Sequence, residues 1–88
     1  MKLNPIASNM TEVVVHVPGF RGDTKVLFSY QTPVAAMNLS PEWHAEHGSA
    51  CIKTDCRWSR TTSKHINKWL AGGTAVERPQ SYFDTLTA

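Results

Sequence analysis

The first element of the fold is decided by residues 11–17, Thr11-Glu12-Val13-Val14-Val15-His16-Val17, in which four of the last five positions are valine. Valine is restricted at χ1 and packs well on a pleated surface, so this stretch is predicted to be a β-strand. Side chains alternate across a strand, which places Val13, Val15 and Val17 on one face. We expect this valine face to be the buried one.

A second strand is predicted over residues 25–30, and the segment between the two strands has turn chemistry. Residues 18–23 contain one proline, two glycines and one aspartate, all of which favour turns. Two strands joined by a short loop with glycine predict an antiparallel hairpin. Because proline cannot donate to a strand ladder, Pro33 predicts a bend or a sheet edge, followed by a third strand over residues 34–37.

The segment from residue 38 to residue 48 leaves two interpretations open. Ser40 suits a helix N-cap, Pro41 suits the first helical position and Gly48 suits a helix end, so one interpretation is a short helix. The other interpretation is a plain loop. Residues 50–54 then predict a fourth short strand, whereas residues 1–10 are expected to be a lead-in with turn character.

The strongest helix signal covers residues 59–71. Ile66, Trp69 and Leu70 follow the i, i+3, i+4 spacing of a buried helical stripe. Residues 79–86 predict a final turn or a short C-terminal helix. We therefore predict an α+β fold in which a small antiparallel sheet of three to four strands packs against one main helix. The 88 residues are expected to form a single domain, residues 1–88.

Basic residues are concentrated between residues 53 and 68. Five of the nine lysines and arginines lie there against one acid, Asp55, so this segment carries +4 and the remainder carries −2. Arg60, Lys64 and Lys68 are four residues apart, which places them in one row on a helix. Like charges at this spacing repel by about 0.2–0.5 kcal/mol per pair. Such a row suits an anionic macromolecule.

This charge pattern defines the predicted contact surface. The candidate macromolecule-binding residues are Lys53, Arg57, Arg60, Lys64 and Lys68, with His65, which gains charge at low pH, and Trp43. Trp43 is included because tryptophan is enriched at binding hot spots. Its alternative role is to fold back over the core. The alternative for the cations is an ordinary solvated face whose alkyl stems cover the core.

Support for a metal centre or for catalysis is weak. His44, His47, Cys51 and Cys56 have zinc-ligand side chains, but their H-x2-H-x3-C-x4-C spacing differs from the common paired patterns. The alternative is a half-exposed histidine pair and two inert thiols. No nucleophile elbow, phosphate loop or paired-carboxylate spacing occurs. We predict no cofactor and no enzymatic activity, with a small zinc- or thiol-dependent enzyme as a minor alternative.

Three blocks resemble a family of small proteins that are encoded by tailed bacteriophages and have no known function. The blocks cover residues 5–11 (PIASNMT), 26–35 (VLFSYQTPVA) and 58–70 (WSRTTSKHINKWL). The resemblance implies a phage protein made in the cytoplasm of the bacterial host, and it implies no activity.

Small phage proteins of this kind often act by binding, which sets the functional expectation. We expect a non-enzymatic accessory protein that binds a host or phage macromolecule through the basic helix face, a protein rather than a nucleic acid. A nucleic-acid-binding module that uses the same residues is the alternative, although the net charge of +2 is modest. No apolar run approaches the roughly 20 residues of a membrane span, so no membrane partner is expected. Self-association into a homodimer is a further expectation, because so short a chain gains stability from it.

Overall fold

A computed structural model describes residues 2–7, 9–55, 60–71 and 73–86 of the chain. In chain order, its elements are β1 (Lys2–Ala7), β2 (Met10–Val15), β3 (Thr24–Ser29), β4 (Thr32–Met37), α1 (Pro41–His47), β5 (Cys51–Thr54), α2 (Arg60–Leu70), β6 (Val76–Arg78) and α3 (Gln80–Leu86). No helix in the described part of the chain is long and apolar enough to cross a membrane.

The six strands form one mixed sheet in the order β1-β2-β3-β4-β5-β6. Each of the first five strands is antiparallel to its neighbours within that set, whereas β6 runs parallel to β5. Parallel neighbours need a crossover connection, and α2 provides it. The prediction of a small antiparallel sheet with three to four strands against one main helix is therefore wrong. The described chain has a mixed sheet of six strands and three helices.

The two strands that were not predicted are the edge strands. β1 contains Asn4 and Pro5, residues that are depleted in strands, so residues 1–10 read as a lead-in. An edge strand tolerates proline, and β1 pairs with β2 from Lys2 opposite Val14 to Pro5 opposite Thr11. β6 has only three residues, which is too short to show any periodicity.

The predicted central hairpin is confirmed. β2 and β3 are antiparallel, with Val13 opposite Val26. Val13 and Val15 are buried, as expected for the valine face, while Val14 is half-buried. β4 continues through Pro33, and its register against β3 shifts between Leu27 and Phe28.

Helices cover both faces of the sheet. Because neighbouring strand residues point to opposite faces, the buried residues form two clusters. One buried cluster joins the sheet to α1 and α3 and contains Val13, Val15, Val26, Ala36, Trp43, Ile52 and Phe83. The other joins the sheet to α2 and contains Met10, Leu27, Val34, Ala35 and Ile66. The molecule thus presents an α2 side and an α1–α3 side.

The helical interpretation of the segment after β4 is confirmed. The Ser40 side chain accepts the Trp43 backbone N–H at 3.3 Å, which caps α1, and Pro41 occupies the first turn. Gly48 takes the left-handed conformation with φ 76°, and its N–H donates to the His44 carbonyl at 2.7 Å. The predicted main helix and the predicted short C-terminal helix are also present, as α2 (Arg60–Leu70) and α3 (Gln80–Leu86).

Candidate interaction surface

The inner side of α2 is fixed to the sheet by side-chain hydrogen bonds. Ser29 Oγ lies 3.1 Å from Thr62 Oγ1 and 2.8 Å from His65 Nδ1. Trp69 Nε1 donates to Glu12 Oε1 at 3.0 Å. Directional bonds at three positions along the helix set its rotation about its own axis. They also determine which residues of α2 face outward.

The outer side of α2 carries three cations. Arg60, Lys64 and Lys68 are all exposed. A helix rises about 1.5 Å per residue, so successive members lie about 6 Å apart along the axis. We refer to Arg60, Lys64 and Lys68 as the α2 cation row. It lies roughly opposite Ile66, which is buried against the sheet.

No described carboxylate lies within ion-pair distance of the α2 cation row. In the part of the chain that the structure describes, the observed ion pair joins Arg21 Nε to Glu42 Oε1 at 3.2 Å. The first turn of α2 also contains no acidic residue. The row therefore combines mutual repulsion with full access to solvent.

A polar cleft separates α2 from β5 and β6. It has a volume of about 330 Å³, and its lining includes Lys53, Asp55, Ser63, Asn67 and Glu77. Lys53 therefore lies beside α2. The cleft also contains two carboxylates, so its charge is mixed rather than uniformly positive.

Two other predicted contact residues have structural roles. Trp43 is 0% exposed, its Nε1 donates to the Ala50 carbonyl at 3.1 Å, and its ring meets Phe20 edge to face at 5.0 Å. The alternative that Trp43 folds back over the core is therefore confirmed, and its role as an exposed contact is wrong, because the capped helix α1 turns the indole into the core. His65 is half-buried and bonded to Ser29. Arg57 lies outside the described residues.

The structure does not gather the four residues of the proposed zinc set. His44 is exposed and His47 is buried, although both belong to α1. Cys51 precedes Ile52, which packs on the α1–α3 side, so the Cys51 side chain points to the opposite face. Burial raises the pKa of the Cys51 thiol, which disfavours the reactive thiolate. Within the described ranges no group of three or more potential ligands forms, and Cys56 lies outside them.

The structure instead places His47 at a junction of three elements. Arg78 Nε on β6 donates to His47 Nδ1 at 3.2 Å, and Arg78 Nη2 donates to the His47 carbonyl at 3.3 Å. His47 Nε2 lies 3.0 Å from Tyr82 Oη on α3. Since Nδ1 accepts a hydrogen bond, the proton of the neutral ring is on Nε2 and is donated to the tyrosine.

The surroundings of His47 favour its neutral form. Burial lowers the pKa of His47, and the nearby Arg78 charge lowers it further, against an opposing effect of Glu46. Burial likewise raises the pKa of Tyr82. Sequence analysis could not find this junction, because its partners are 31 and 35 residues from His47 and no local pattern links them.

The described chain is thus a small α+β fold in which helices cover both faces of a mixed sheet. Residues 1–85 match the family of unknown function DUF8033, and the chain belongs to that family. The expectation that the chain belongs to a family without known function is therefore confirmed. No curated protein and no solved structure matches the chain.

Proposed function

We propose that this protein is a non-enzymatic accessory protein of a tailed bacteriophage that acts in the cytoplasm of the bacterial host. In this proposal it binds a host or phage protein through the α2 cation row, with Lys53 at the margin of the contact. The three resembling sequence blocks support the phage setting. The surface of α2 supports the binding role.

The observation that carries this proposal is the contrast between the two sides of α2. The inner side is held by three hydrogen bonds to Ser29 and Glu12, so the helix cannot readily rotate to turn its cations away from solvent. The outer cations have no described carboxylate partner. A helix backbone that is already held in place loses little further conformational entropy on binding, which favours affinity.

The mixed charge beside the row favours a protein over a nucleic acid. Asp55 and Glu77 line the same cleft as Lys53. These carboxylates repel a phosphate backbone, whereas a protein surface can offer charges of both signs in a complementary arrangement. The net charge of +2 also gives little general attraction to nucleic acid.

Differential capture from a lysate of phage-infected bacteria tests the proposal. The immobilised wild-type protein is compared with Lys64→Glu and with Lys25→Glu. Both variants make the same charge change at an exposed residue, but Lys25 lies on β3 at the end remote from Ser29. We expect at least one protein to be enriched by wild type and by Lys25→Glu, and to be reduced by about tenfold with Lys64→Glu. If no protein shows this pattern, the proposal is wrong.

A mobility-shift assay with duplex DNA and with single-stranded RNA tests the alternative. A complex that weakens steeply with salt and disappears with Lys64→Glu would assign the row to nucleic acid. We expect no complex with either probe at physiological salt.

A further inference from the structure

A second row of like charges lies on the α1–α3 side of the molecule. Glu42 and Glu46 are exposed on α1 and are four residues apart. Their separation along the helix axis is about 6 Å, the same as that of neighbouring members of the α2 cation row. We refer to Glu42 and Glu46 as the α1 acid pair. Two carboxylates at this spacing repel each other, and the Arg21 guanidinium offsets part of the charge of Glu42.

A groove runs beside the α1 acid pair. Its volume is about 600 Å³, and its lining includes Val17, Phe20, Tyr82 and Leu86 together with both glutamates. Carboxylates at the rim and aromatic or aliphatic groups beside them suit long cationic side chains. The ammonium or guanidinium group pairs with the acid, and the alkyl stem covers the apolar surface.

We propose that α2 of one copy of this chain docks on the α1 acid pair and the adjacent groove of a second copy, so that the protein associates head to tail. This inference rests on the proposed function, because it names a second copy as a partner of the α2 cation row. Two cations four residues apart meet two carboxylates with the same spacing. The contact therefore converts repulsion on both helices into attraction.

The positions of the two rows prevent them from pairing within one molecule, so the pairing needs two copies. The rows lie on opposite faces of one sheet, so a single molecule cannot bring its own rows together. A two-fold symmetric dimer through α2 would place cations against cations, and one through α1 would place acids against acids. Only the unlike pairing is attractive, and it leaves a free row at each end. Association then continues to a ring or a chain.

The existing ion pair does not prevent this docking. Glu42 pairs with Arg21, but the Arg21 side chain is 84% exposed. Exposed ion pairs contribute little to stability, so Glu42 can exchange partners readily. Glu46 forms no ion pair with a described residue. Both carboxylates are therefore accessible to an incoming helix.

Sedimentation velocity over a range of protein concentrations tests the inference with charge-reversal variants. Variant A carries Lys64→Glu and Lys68→Glu, variant B carries Glu42→Lys and Glu46→Lys, and variant C carries all four changes. Lys64 belongs to both neighbouring pairs of the α2 cation row, so variant A reverses at least one cation whichever pair faces the two carboxylates. A control swap, Lys25→Glu with Asp23→Lys, exchanges two exposed charges that belong to neither helix.

We expect wild type and the control swap to associate with increasing concentration, and to do so less at high salt because salt screens the contact. Variants A and B should each weaken association by at least about tenfold. Variant C should recover association to within a few-fold of wild type, because the attraction is restored with the signs exchanged. Circular dichroism confirms that each variant is folded. If variant A or variant B is not, glutamine replacements at its two positions test the same loss of association without reversing the charge.

Two results would overturn the inference. The first is a wild-type protein that stays monomeric at every concentration. The second is association that variants A and B leave unchanged, or that variant C fails to restore. The capture experiment separates this failure from that of the proposed function. A lysate protein that still depends on Lys64 would uphold the proposed function while self-association is rejected.

Discussion

Acidification should destabilise this protein through one histidine. His47 is buried, and its Nδ1 accepts a hydrogen bond from Arg78 Nε while its Nε2–H donates to Tyr82 Oη. Protonation of Nδ1 would replace that acceptor with an N–H facing the guanidinium group. The folded state therefore resists the proton, and burial is the main reason that the pKa of His47 is lowered below its ordinary value of 6.5.

The sign and size of the effect follow from proton linkage. Well above pH 6.5 both states leave His47 neutral, and its contribution to stability is fully present. As the pH falls below that value, the unfolded chain binds a proton that the folded chain does not. The free energy of unfolding then decreases by up to about 1.4 kcal/mol per pH unit, until the folded protein is protonated too.

Urea unfolding followed by tryptophan fluorescence between about pH 5 and 7.5 measures this slope, in a range where few carboxylates titrate. His47→Gln should flatten the pH dependence. His44→Gln is the matched control, because it makes the same change at an exposed position of the same helix and should keep the wild-type slope. If stability is independent of pH, or if His47→Gln retains the full slope, the reasoning about this junction is wrong.

Three further substitutions test the packing described above, each by urea unfolding. Trp43→Ala should lower the free energy of unfolding by about 3–5 kcal/mol, because it empties a fully buried site. Ser29→Ala should lower it by about 1–3 kcal/mol and increase hydrogen exchange in α2, because it removes the shared partner of Thr62 and His65. Ala71→Gly should raise it by about 0.5–1 kcal/mol, because residue 71 has a φ of 52° at the end of α2.

The elements that the sequence predicts well are those whose chemistry is local. The valine alternation in residues 11–17 identifies β2, and Ser40, Pro41 and Gly48 supply the start and end of α1. The exposure of Arg60, Lys64 and Lys68 also follows from their spacing on one helix. Each of these inferences uses residues within a few positions of one another.

The features that escape sequence reasoning depend on distant partners. β1 and β6 are recognisable only by the strands beside them, since Pro5 disfavours the first and the second has three residues. Trp43 lies in a polar segment and still reaches the core, because α1 turns it inward. The side-chain contacts of His47 are with β6 and α3, whose position next to α1 is set by the whole sheet.

Reversal of the middle charge of the α2 cation row tests the central claim most directly. Lys64→Glu replaces two repulsive i, i+4 pairs with two attractive ones, so it should raise the free energy of unfolding by about 1 kcal/mol. If the row serves binding, the same variant should lose its captured protein partner while it becomes more stable. A variant that is less stable than wild type, or that still captures the partner at full strength, would contradict this account.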